Sequence, residues 1–261
     1  MKAIAARRHH RHAPVVLLAL ALILTGGLYA AFASTSADAA DVAQSETDIE
    51  AGKKLFAANC ASCHGIDAEG RSTAPSLVGV GAASVYFQVS TGRMPMQMDG
   101  PQAQAKPAQF DEVETQQLAA YVASLGAGPA IPTDDMVDPS KGNAANGMAL
   151  FRTNCAMCHA ASGVGGALTQ GKYAPSVLKA EPAQIYAAMV TGPQSMPVFN
   201  DMTLTPEDKR DIIAFIEAQK EGAPGGLDLG AIGPVGEGLW IFVVGMGLLI
   251  GCAVWIGAKS S

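Results

Sequence analysis

Two short stretches carry residue types at a spacing that can do chemistry: Cys60-Ala-Ser-Cys63-His64 and Cys155-Ala-Met-Cys158-His159. Thiols three positions apart share one helical turn, and a histidine directly after the second can be held under a metal that the pair fixes in place. Cys-x-x-Cys-His is the spacing of c-type haem attachment. Each thiol would form a thioether to a haem vinyl group, and the histidine would become an axial ligand to the iron. Cys60, Cys63, Cys155 and Cys158 are therefore the expected anchors of two covalently attached haem c groups, with His64 and His159 as proximal ligands. Other uses of Cys-x-x-Cys fit less well. A zinc site needs further Cys or His nearby, a thioredoxin-like pair does not need the adjacent histidine, and neither accounts for the duplication.

The remaining inventory narrows the second axial ligand. The chain has five histidines, and the three not yet assigned, His9, His10 and His12, lie in a basic N-terminal stretch. Cys252, the one cysteine outside the motifs, sits in an apolar run. The haem-bearing region thus has no cysteines for a disulfide and no Cys/His set for an iron–sulfur or copper centre. The sixth ligand is methionine, or the site is open. Thr91-Gly92-Arg93-Met94-Pro95 follows the first motif and Thr191-Gly192-Pro193-Gln194-Ser195-Met196-Pro197 the second. A following proline biases each methionine toward extended backbone, so that its thioether can point from a loop into a pocket. Met94 and Met196 are the expected ligands, with Met96 as the alternative in the first copy.

The elements that must position these residues are themselves repeated. Phe56-x-x-Asn59-Cys60 recurs as Phe151-x-x-Asn154-Cys155, Ala74-Pro75-Ser76 as Ala174-Pro175-Ser176, Tyr86 as Tyr186, and Leu118-Ala-Ala-Tyr121-Val122 as Ile212-Ile-Ala-Phe215-Ile216. Each copy reads as helix, haem motif, irregular loop, short helix, methionine loop and closing helix. Thr205-Pro206-Glu207-Asp208 is a strong start for the last of these, with a capping hydroxyl, proline in the first turn and acids facing the dipole.

At 261 residues the chain allows about two domains. They are expected at 38–126 and 140–222, joined by a Pro/Gly/acidic linker at 127–139 that keeps two haems near each other. Residues 1–13 form a basic segment. Residues 14–33 are uncharged and largely apolar, longer than the ~7–15-residue core of a signal peptide and near the ~20 residues that cross a bilayer. Ala31-Phe32-Ala33 nevertheless has the form of a cleavage site, so both a retained anchor and a signal segment fit. Residues 235–257 are a second spanning candidate, with Trp240 and Trp255 toward the ends and Lys259 just beyond. Lys259 and the N-terminal arginines favour cytoplasmic ends, which puts the haem domains on the extracytoplasmic face of the cell membrane. Gly247 and Gly251 would offer a smooth face to another membrane helix. Residues 34–233 hold 12 lysines and arginines against 22 acids, which does not support nucleic-acid binding.

The order of elements resembles the small class-one cytochrome c fold, and the likeness covers both halves of the haem-bearing region. That resemblance implies an all-α architecture of two tandem class-one domains with a C-terminal transmembrane helix and an N-terminal hydrophobic anchor or signal. It implies that the Pro75 and Pro175 carbonyls accept the other ring N–H of His64 and His159. It also implies that Phe56 and Phe151 pack on the closing helices at Tyr121 and Phe215, with Gly52 and Gly147 allowing close approach.

Three functions compete. Two haems with His/Met ligation and no open position pass single electrons. A di-haem peroxidase would need a displaceable ligand and acid–base groups that the spent histidines do not supply. A soluble shuttle conflicts with the C-terminal apolar segment. A membrane carrier with two fused class-one domains resembles the di-haem cytochrome c subunit of actinobacterial cytochrome bc complexes. This resemblance implies a subunit of a quinol–cytochrome c reductase with no catalytic site of its own. Its partners would be a cytochrome b subunit, a Rieske iron–sulfur subunit and a terminal cytochrome oxidase. The alternative is the di-haem subunit of a cbb-type oxidase, a family usually anchored before its haem domains.

Overall fold

The computed structural model describes residues 13–32, 46–98, 100–221 and 234–258; His9, His10 and His12 lie outside them. Helix α1 (Ala13–Phe32) belongs to a unit of its own. Its apolar stretch among the described residues is Pro14–Gly27. The second unit begins at residue 42 and holds everything else.

Within that unit one sequence of elements runs twice. The first pass is α2 (Glu46–Asn59), α3 (Ala61–His64), α4 (Ala82–Ser90) and α5 (Glu112–Ser124). After α6 (Asp134–Val137), the second pass is α7 (Ala144–Asn154), α8 (Ala156–His159), α9 (Pro182–Thr191) and α10 (Pro206–Lys220). Helix α11 (Pro234–Ala258) follows, and its Gly238–Ala258 portion is long and apolar enough to cross a membrane. The fold is all-α with one small addition. Strands β1 (Gly166–Ala167) and β2 (Tyr173–Ala174) pair antiparallel, where the first copy has only an isolated bridge between Arg71 and Ala74.

The helices begin where side chains can satisfy their first amides. Asp111 accepts from Glu114 N–H at 2.9 Å while the Glu114 carboxylate accepts from Asp111 N–H at 3.1 Å. Thr205 and Asp208 form the same reciprocal box at α10, with Pro206 in the first turn as the sequence predicts. Such caps are worth about 1 kcal/mol each.

Each copy closes by crossing its first helix over its last. Phe56 meets Tyr121 with ring centroids 5.2 Å apart, and Phe151 meets Phe215 at 5.3 Å. Both crossings need a glycine, because a Cβ at Gly52 would overlap the Gln117 carbonyl and one at Gly147 the Asp211 carbonyl. Around them are buried Leu118 and Val122 in the first core, and Ile212, Ile213 and Ile216 in the second. Burying such side chains stabilises by roughly 1.5–3 kcal/mol each.

A third cluster joins the two copies. Ala83, Tyr86 and Phe87 of α4 are buried with Ala187 of α9, so the short helices of the repeats form the contact between the domains. Gln184 Nε2 donates to Ser90 Oγ across it at 3.2 Å. The intervening segment packs too: Pro129 O accepts from Ala83 N–H at 3.0 Å, and Val137 is buried in the second core.

Candidate haem sites

The haem motifs sit where a long helix breaks. Cys60 N–H still donates to Phe56 O at 2.8 Å, then the chain restarts, with His64 N–H on Cys60 O at 3.0 Å. The second copy repeats this, with Cys155 N–H on Phe151 O at 2.8 Å and His159 N–H on Cys155 O at 2.9 Å. Both thiols of each motif therefore occupy one turn, with the histidine at its end. With haem attached, these thiols would be the thioether sulfurs. Burial, helped by the neighbouring thiol, pushes Cys60 and Cys155 up to about 11. A redox-active Cys-x-x-Cys needs the opposite shift.

Each histidine ring is oriented by one bond. His64 Nδ1 lies 2.9 Å from Pro75 O, and His159 Nδ1 lies 2.9 Å from Pro175 O. With the hydrogen on Nδ1 the ring donates, which leaves Nε2 free to coordinate and raises its basicity. Burial lowers the His159 pKa more than the Pro175 carbonyl raises it, and a neutral ring is the form that binds metal.

The proline carbonyls are held there by a tight return of the chain. Gly70 N–H donates to His64 O at 2.7 Å and Gly165 N–H to His159 O at 2.9 Å. Both glycines have φ near +90°, at +85° and +90°, and a Cβ on either would run into the Ala-Pro-Ser backbone opposite. The serines complete the brace, since Ser76 Oγ donates to Ala68 O and Ser176 Oγ to Gly163 O, both at 3.3 Å. This explains why Ala-Pro-Ser recurs as a unit.

The methionines separate by exposure. Met94 is half-buried and packs on the same core cluster as Cys60, whereas Met96 is 40% exposed and Met98 80%. Met196 is half-buried, with its N–H on Pro193 O at 3.0 Å. Cys155, Cys158, His159 and Met196 all line one cavity of about 880 Å³, toward the upper end of the ~300–1,000 Å³ usual for ligand pockets. Its walls include Phe151, Ile185, Met189, Phe199 and Ile212. Two thiols, one oriented imidazole, one thioether and apolar walls fit a haem. Among the described residues no three or more His, Cys, Asp or Glu converge as other metal sites require.

Several residues of this site carry no recognisable motif. Lys209 is fully buried, with Nζ 2.6 Å from Asp201 Oδ1, 2.8 Å from Leu204 O and 5.6 Å from the Tyr186 ring centre. It ties the end of the methionine loop to α10. Its place on the apolar stripe with Ile212, Ile213 and Ile216 was the available signal. Arg93, Gln102 and Lys106 of the first repeat line the second repeat's cavity.

Comparison with known proteins finds cytochrome c-type family matches over both repeats. Residues 49–126 match the family described as cytochrome c, and residues 142–216 match cytochrome c oxidase, cbb3-type, subunit III. A cytochrome bc1 complex cytochrome c subunit of Mycobacterium bovis is 45% identical over 252 residues, covering 94% of this chain and 90% of the relative. The proteins of the same name from Corynebacterium diphtheriae and Corynebacterium efficiens are 41% identical over 99% of both chains, and 42% identical over 97% of this chain and 92% of the relative.

Proposed function

The chain belongs to the family of cytochrome bc1 complex cytochrome c subunits, and on that premise we propose that it relays single electrons from a Rieske iron–sulfur centre through two covalent haems to a terminal oxidase. Haem iron, when bound, supplies a one-electron couple. Cys60 and Cys63, and Cys155 and Cys158, anchor the two groups. His64 with Met94, and His159 with Met196, would hold the two irons. The domains are 38–126 and 140–222 with the linker at 127–139. Residues 14–33 and 235–257 are the membrane segments, and both haem domains lie on the extracytoplasmic face beside the cytochrome b and Rieske subunits.

The doubled geometry carries this assignment: two Cys-x-x-Cys-His motifs, each with its histidine Nδ1 held 2.9 Å from a proline carbonyl. A half-buried methionine accompanies each. Methionine ligation raises the potential of a haem relative to bis-histidine ligation, which suits the downstream end of a quinol-oxidising chain. The direct packing of α4 on α9 supports haems close enough to act in series. A place in a cbb-type oxidase is the weaker reading, because that match ends at residue 216, before α11.

Replacing Cys155 and Cys158 by serine in the assembled complex is the test. Quinol should still reduce the first haem while oxygen consumption is abolished. Oxygen consumption persisting in a complex that lacks the second haem would overturn the relay.

A further inference from the structure

Arg93 belongs to the first domain's methionine loop, where its guanidinium meets an aromatic face but no carboxylate among the described residues. It is only 7% exposed, and its guanidinium lies 4.8 Å from the centre of the Phe87 ring. Among the described residues no carboxylate pairs with it. A buried guanidinium without an anion is costly, so the site is built for one that these side chains do not provide. Arg93 lines the same cavity as His159 and Met196.

The surroundings repeat the demand for negative charge. Lys106, also from the first domain, lines the cavity with its ammonium on Pro95 O. Lys172 of the second domain lines the same cavity, with Nζ on Ser195 Oγ at 3.1 Å. Glu181, the one acid among the lining residues, is exposed. Haem brings two carboxylates on its propionate arms, and guanidinium pairs with carboxylate in a two-pronged geometry that lysine cannot match.

We infer that Arg93, seconded by Lys106, binds the propionate carboxylates of the haem in the other domain, so that the first domain completes the second domain's haem site. This rests on a haem occupying the second domain. A cation beside a haem favours the reduced state, and here that cation is contributed across the domain contact.

The experiment is redox titration of the full-length di-haem chain, with the two haems followed separately by paramagnetic resonance. Met196→Ala identifies the second haem's signal. Arg93→Gln should lower the second haem's reduction equilibrium about tenfold, or about 59 mV for a one-electron couple, with a smaller change at the first. Arg93→Lys should restore most of it, which mere loss of packing would not allow. Lys106→Gln should move the second haem in the same direction by less. A shift confined to the first haem, or no shift at all, would overturn the assignment. If Arg93→Gln yields no holoprotein, Lys106→Gln decides by the same criterion. One haem per wild-type chain would instead overturn the di-haem reading beneath it, and haem content measured first separates the two failures.

Discussion

Gln102 of the first domain and Tyr173 of the second exchange two hydrogen bonds: Gln102 Nε2 donates to Tyr173 O at 2.8 Å, and Tyr173 N–H donates to Gln102 Oε1 at 2.9 Å. One amide side chain thus mimics a strand partner at β2, directly before Ala174-Pro175. The contact fixes the edge of the second cavity to the loop that follows Met94, and with the α4–α9 packing it sets one spacing for the two sites.

Gln102→Leu should loosen this contact while leaving both haems attached. Two hydrogen bonds net about 1–3 kcal/mol, and the lost Tyr173 amide partner is replaced by water because the site is exposed. We expect the thermal transitions of the two domains to separate in calorimetry and interhaem electron transfer to slow. One unchanged shared transition would show that α4 and α9 suffice alone.

Met196→Ala should convert only the second iron from six-coordinate low-spin to high-spin, since no other histidine or methionine is placed to replace it on the described walls except Met189. Met189 is 2% exposed and held within α9. Met94→Ala should do the same at the first iron, and Met96→Ala should do nothing. Near-infrared absorption and paramagnetic resonance of the oxidised protein report each case. A normal low-spin spectrum in Met94→Ala would move the ligand to Met96.

Lys209→Met keeps most of the buried aliphatic volume and removes the ammonium. Asp201, 60% exposed, stays hydrated after the change, so the cost is the lost charge-assisted bonds and not a stranded charge, about 1–3 kcal/mol. The second domain should melt earlier, and its methionine ligation should be the first feature lost on warming. Equal weakening of both domains would mean that Lys209 stabilises the fold without positioning the loop.

What could be read from the sequence was local. Cys-x-x-Cys-His and the Thr205 cap each act within a few residues of themselves, whereas the hold of the Pro75 and Pro175 carbonyls on histidines 11 and 16 residues earlier was legible only through the family likeness. Gly52 and Gly147 were legible only through the family likeness, because the helix each must approach lies some 65 residues away, at Gln117 and Asp211. Arg93, Gln102 and Lys106 were not legible as parts of the second site. Their role depends on how one domain lies against the other, and no periodicity or motif records that. The segment at 127–139 reads as a linker by composition, yet its Pro129 carbonyl and Val137 side chain are committed to the two domains. Proline and acidic residues signal a chain that can be exposed, not one that must be.

Helix α11 gives the last prediction. Its described side chains are nearly all exposed, and a Cβ at Gly247 or Gly251 would meet nothing within 4 Å. Glycines four residues apart on one face let a second helix approach closely, and in a bilayer that packing replaces the hydrophobic drive available in water. Leucine at both positions keeps the segment apolar, so membrane insertion should be unaffected, and the thioethers lie in other domains, so haem content should not change. What should fall is co-purification with the cytochrome b and Rieske subunits. If the double variant is recovered with its partners at wild-type yield, α11 anchors the chain and does nothing more.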